Sequence, residues 1–87
     1  MSVSQFQKVL ASKAVTDIVI EYVKARHHYP KFHSAHEGHS VIREELDELW
    51  DLVKSNKGLT MKHDAAGRHE AVQVAAMALA FIMEVCE

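Results

Sequence analysis

The chain of 87 residues has one cysteine, one proline and three glycines. Each scarcity excludes something. Cys86 cannot close an internal disulfide, so a reducing, cytoplasmic setting is expected, with crosslinking between copies open to it on oxidation. Pro30 and so few glycines punctuate little, and no alternation of apolar and polar residues marks a strand. No lysine or arginine run exceeds one residue and the net charge is −2, so neither a nucleic-acid face nor a membrane-surface patch is announced. The N-terminus lacks a basic stretch followed by an apolar core, so no signal peptide is expected. The longest apolar run, residues 74–83, is too short to span a bilayer and suits a buried helix.

What is present is apolar surface. Hydrophobic residues make up 48% of the chain. A single domain this small buries only roughly 60–65% of its surface, so the remainder needs a second copy to cover it. Seven histidines are also present, and protonating all of them moves the net charge from −2 to +5. Association is therefore expected to depend on pH between about 5 and 7.

The expected class is all-α, one domain over residues 1–87, with three main helices joining those of other copies in a bundle. A first helix is expected over about 4–28, capped by Ser2 or Ser4, with Phe6, Val9, Leu10, Ala14, Ile18 and Tyr22 at helical spacing. Tyr29-Pro30 ends it, because the residue before proline is pushed out of the α region. Ser34-Ala35-His36-Glu37 has the form of a capping box and opens a second helix running to about Lys54, with Ile42, Leu46, Leu49 and Val53 as its stripe. Gly38 within it marks a weak spot, a kink or a close helix crossing. Ser55-Asn56-Lys57-Gly58 is a turn, followed by a flexible linker to roughly Arg68. A third helix covers about 69–85, with an earlier start near Asp64 also open.

That third helix carries Gln73 as its only polar residue between Ala71 and Met83. A helix apolar on all sides must be surrounded, which two short neighbours cannot do. A homo-oligomer, dimer or tetramer, is the expected solution.

Glu44, Glu45 and Glu48 lie on the second helix. At 100° per residue, Glu45 and Glu48 are about 60° apart and beside the apolar stripe, sharing a sector with Val41 and Leu52. Glu70 and Gln73 share a face of the third helix with Val74, Met77 and Phe81. Antiparallel packing would bring the two sets to one level. Carboxylates crowded in a low-dielectric groove repel one another, and Mg²⁺ with its oxygen ligands resolves the conflict. The plainer alternative is a solvated charged face with i,i+4 pairs.

Taken together, Glu44-Glu45-Leu46-Asp47-Glu48, then Glu70-Ala71-Val72-Gln73 at the head of the apolar run, resemble the EExxE and ExxD motifs of the MazG-like all-α nucleoside triphosphate pyrophosphatase superfamily. The resemblance covers residues 33–85 and extends to the stretch from His36 to Leu46. It implies hydrolysis of a nucleoside triphosphate to monophosphate and pyrophosphate, as in nucleotide-pool cleaning, by a dimer or tetramer. It implies Mg²⁺ on Glu45, Glu48, Glu70 and Gln73, with Glu44 orienting or deprotonating the attacking water. Lys54, Lys57, Lys62 and Arg68 are the candidates to hold the phosphate tail.

Gln73 departs from the motif: its carbonyl oxygen brings no charge where the family has aspartate. A one-metal site, a substitute acid (Glu37, Asp64 or Glu84), or a non-catalytic nucleotide-binding or assembly module with a degenerate metal site are the alternatives. His36 and His39, one turn apart, offer a transition-metal pair, a contact to substrate or simply solvated surface. Trp50 reads as core or interface before base-stacking platform. Phe6, Tyr22, Tyr29 and Phe32 would line a base pocket if the first helix closes over the acids, and are equally good core residues.

Overall fold

A computed structural model describes residues 2–56 and 61–87. They form α1 (Val3–His28), α2 (Ala35–Ser55) and α3 (Ala65–Phe81), which a terminal π-helical turn extends over Ile82–Cys86. Among the described residues there is no strand.

The local signals mostly act as written. Ser2 closes a reciprocal capping box with Gln5, its Oγ accepting from the Gln5 N–H at 3.2 Å while its own N–H donates to Gln5 Oε1 at 2.8 Å. Tyr29 is extended (φ −134°, ψ 147°), as the following proline demands. At α2 the box is only half formed. Ser34 Oγ accepts from the Glu37 N–H, but the Glu37 carboxylate passes over Ser34 to the His33 N–H and ring Nδ1, both at 3.2 Å. It gains two polar contacts there in place of one.

The expected linker ends before Arg68, and the earlier start of the third helix near Asp64 holds. Asp64 caps α3, its carboxylate accepting from the Gly67 N–H at 2.8 Å, so the helix starts at Ala65. His63, at φ 67°, makes the left-handed turn before it. Lys57 and Gly58 of the expected turn lie outside the described residues.

Side-chain pairings set the topology. Gly38 meets Phe81, and Glu45 and Glu48 meet Glu70, so α2 runs antiparallel to α3. Asp17 pairs with Arg68, Glu21 with Gln73 and Arg26 with Glu84, so α1 runs parallel to α3. Helix α3 therefore lies between two helices that scarcely touch each other. The result is a slab, 41 × 34 × 20 Å, whose buried apolar residues (Val72, Ala76, Met77 and Ala80) all belong to α3.

Two expected stripes are corrected by this arrangement. On α1, Ala14, Ile18 and Tyr22 pack, while Phe6, Val9 and Leu10 stay exposed. The reason is length: 26 residues reach about 39 Å and the 17 of α3 about 26 Å, so α1 overhangs. On α2, Leu46 and Val53 are exposed, and the packed face holds Gly38, Val41, Ile42, Glu45, Leu49 and Leu52. The helix is rotated toward its acids because α3 approaches over Gly38.

Gly38 is a close crossing. A Cβ there would stand 2.7 Å from Phe81 Cδ2 and 3.0 Å from Phe32 Cδ2. Gly38→Ala is expected to destabilise by about 1–2 kcal/mol, overpacking outweighing the gain in helix propensity. Urea unfolding measures it, and a more stable variant would refute the crossing.

The stretch Ala65–Cys86 is long and apolar enough to cross a membrane by length and composition, beyond what the ten-residue run suggested. Its polar side chains nonetheless turn to the flanking helices: Gln73 and Glu84 to α1, Glu70 to α2. A bundle accounts for them, and a lipid surround would leave them unpaired.

Candidate functional site

The acids of α2 and α3 converge. Glu45, Glu48 and Glu70 each offer an oxygen within 4.8 Å of the others. Glu45 and Glu48 lie three residues apart on α2, and the antiparallel packing of α3 brings Glu70 to their level. Glu45 is half-buried, and its carboxyl is raised to about 7 from an ordinary 4.5, first by burial and then by the charges of Glu48 and Glu70. One oxygen of Glu70, Oε2, is buried with no hydrogen-bond partner. A buried, unpartnered carboxylate oxygen facing two more carboxylates is a costly arrangement that a divalent cation relieves. The donor set is all oxygen, which suits a hard divalent cation.

Beside these acids opens a cavity of about 420 Å³, within the range of small-molecule sites. Its acidic side is Glu37, Glu44, Glu45 and Glu48, with Gln73 and Met77 contributed by α3. Its opposite wall is the end of α1 and the turn after it: Ala25, Arg26, Tyr29, Pro30 and Phe32. Glu44 thus lines the same cavity as Glu45 and Glu48, two of the three convergent acids, without belonging to the cluster.

Gln73 lines the cavity, but its Nε2 donates to Glu21 Oε2 of α1 at 2.8 Å. That contact uses the amide N–H, and the carbonyl oxygen, the atom that could ligate a metal, is not the one bound to Glu21. A neutral amide can bridge two acidic groups where an aspartate would repel Glu21. None of the three substitute acids replaces it. Glu37 is engaged by His33, Asp64 caps α3, and Glu84 is held by Arg26.

The basic residues expected to hold a phosphate tail are corrected in part. Lys54 turns to Asp51 at 3.1 Å and lies over the Trp50 ring. Arg68 pairs with Asp17 at 2.7 Å and lines a separate groove between α1 and α3. Both sit where i,i+3 or cross-helix acids attract them. Lys62 does not line the cavity, and Lys57 lies outside the described residues.

Of the aromatics, Tyr29 and Phe32 line the cavity, whereas Phe6 is exposed on the overhang and Trp50 is 55% exposed on α2. Tyr22 gives its hydroxyl to Glu84 at 2.7 Å. No histidine belongs to a three-residue metal cluster among the described residues. His36 and His39 lie instead on a shallow surface beside Phe81.

Arg26 and its partner Glu84 were missed as a pair. The Glu84 carboxylate, 2% exposed, accepts from Arg26 Nε, Arg26 Nη2 (2.6 Å), the Tyr22 hydroxyl and the Phe32 N–H (3.1 Å). These donors, Arg26 first, hold it down at about 2. A signal existed: Glu84 falls 14 residues after Glu70 and 7 after Met77, on one helical face, so an acid there must point inward.

No family model, curated protein or solved structure matches this chain.

Proposed function

We propose that the protein is a Mg²⁺-dependent nucleoside triphosphate pyrophosphohydrolase, releasing monophosphate and pyrophosphate. One observation carries the reading: three carboxylates from two helices converge within 4.8 Å, one of them with a buried oxygen lacking any partner, at the edge of a ligand-sized cavity. A purely structural bundle gains nothing from that arrangement. The aromatic wall opposite, Tyr29 and Phe32, suits a flat base, and the acidic side suits a metal-complexed polyphosphate.

Glu45, Glu48 and Glu70 would hold the ion. Mg²⁺ there supplies positive charge against the phosphate oxygens. Glu44, beside the cluster and not within it, is the group to accept the proton of the attacking water. Water adds at the α-phosphorus, the bond to the α–β bridging oxygen breaks, and pyrophosphate leaves. Gln73 and Glu21 together set the α1 edge of the site.

The test is pyrophosphate release from a panel of canonical and modified nucleoside triphosphates, with and without Mg²⁺. Mg²⁺-dependent release with monophosphate as co-product is expected. A second reading, a non-catalytic nucleotide-binding or assembly module, is favoured by Gln73, a neutral side chain whose amide N–H donates to Glu21. Absence of release from a folded sample across the whole panel would select it.

We also propose that copies of the chain associate. Phe6, Val9, Leu10, Val15, Val19, Ile20 and Val23 of α1 are all at least 45% exposed, and Ile82 and Met83 close to half. So much apolar surface on a thin slab matches an oligomer interface. Sedimentation equilibrium should give a dimer or tetramer, and Leu10→Glu with Val19→Glu should shift it toward monomer. A wild-type monomer at micromolar concentration would contradict the proposal.

A further inference from the structure

The cavity has an acidic side but a single cation. Among the described residues lining it, Arg26 alone is basic. Its side chain is also held on several sides. Its guanidinium lies over the Phe32 ring at 5.0 Å and the Tyr22 ring at 5.5 Å, and its side chain is 13% exposed. Nε and Nη2 are committed to Glu84. A guanidinium has five N–H groups in a rigid fork, so donors remain after that pair is made.

We propose that Arg26 is the anion-contacting residue of this cavity, aimed by Glu84 as its positioning residue, and that it takes a phosphate oxygen of the substrate. The inference rests on the reading of the cavity as a nucleoside triphosphate site. Three facts join in it. The fork geometry of arginine matches phosphate, where a lysine would be a point charge. Two of the side chains expected to do this work are held elsewhere: Lys54 by Asp51 and Arg68 by Asp17. And Glu84 fixes more than Arg26, since it also accepts from the Phe32 N–H and so pins the turn that forms the aromatic wall. The terminal π turn, remote in sequence from the acids, thereby belongs to the site.

A merely structural Arg26–Glu84 pair would affect stability and leave ligand affinity alone, which gives the test its edge. Calorimetric titration with Mg²⁺-tripolyphosphate compares wild type, Arg26→Lys and Glu84→Gln. Mn²⁺ binding and melting curves are recorded beside it, to show that the acids and the fold are intact. Both variants are expected to bind tripolyphosphate about tenfold or more weakly, the scale of a lost hydrogen bond to a charged group, with Mn²⁺ affinity unchanged. Should Arg26→Lys not fold, Glu84→Gln carries the test, because its amide oxygen still accepts from Tyr22 or Phe32. Unchanged tripolyphosphate affinity in a folded variant would overturn the proposal, and so would a wild type that takes no tripolyphosphate. A wild type that binds it through Arg26, yet releases pyrophosphate from no nucleotide, would uphold this inference and remove the catalytic reading.

Discussion

Glu48→Gln is expected to abolish Mg²⁺-dependent pyrophosphate release while leaving the helix content unchanged. The effect should be large because Glu48 is one of three carboxylates that converge, and losing one leaves two. Even outer-shell partners of metal ligands cost about 10–100-fold when removed, so at least about a hundredfold loss is expected for a direct ligand. The fold should tolerate the change, since Glu48 is exposed on α2 and glutamine is isosteric. A second consequence is internal to the cluster. The charge of Glu48 helps to raise the Glu45 carboxyl, so removing it should bring Glu45 down toward its ordinary range. Activity assays, circular dichroism and Mn²⁺ titration together decide the matter. Full activity in this variant would sink the metal assignment.

The cluster was legible because it depends on helix periodicity and on one packing choice. Glu45 and Glu48 had to share a sector, Glu70 had to head the apolar run, and an antiparallel α2–α3 pair then brought them level. The all-α class followed from the same periodicity. Neither the stripes nor the basic residues could be read so directly. The sequence does not say that α1 runs parallel to α3, and that direction sends Arg68 to Asp17, Gln73 to Glu21 and Arg26 to Glu84. Nor does it say that α3 takes the middle of the slab, which leaves Phe6, Val9 and Leu10 beyond its reach. Lys54, near the acids in sequence, pairs with Asp51 and does not line their cavity, while Arg26 reaches it from the other helix.

The largest effect on stability is expected at Glu84. Removing one partner of a buried ion pair costs about 3–5 kcal/mol, because the other charge is left stranded. Glu84→Ala strands Arg26 and also orphans the Tyr22 hydroxyl and the Phe32 N–H. For a domain of this size the melting temperature should fall by at least about 12 °C, compared at one protein concentration. The same carboxylate sets the acid limit. Its folded-state value, about 2, lies below the ordinary 4.5, so its contribution is complete above pH 4.5 and is lost as pH falls toward 2. Glu45 acts in the opposite sense. Its folded-state value is raised to about 7, so its contribution is complete below 4.5 and is lost as pH rises through 7. Without Mg²⁺ these two groups together favour a stability maximum near pH 4.5. With Mg²⁺ the alkaline side should rise, because the ion takes the place of the proton on Glu45. Melting curves from pH 2 to 8, with and without Mg²⁺, should therefore separate only toward the alkaline end, and Glu45→Gln should erase the separation. A Mg²⁺ effect of equal size at pH 5 and pH 8 would show that the ion binds somewhere other than the Glu45, Glu48 and Glu70 cluster.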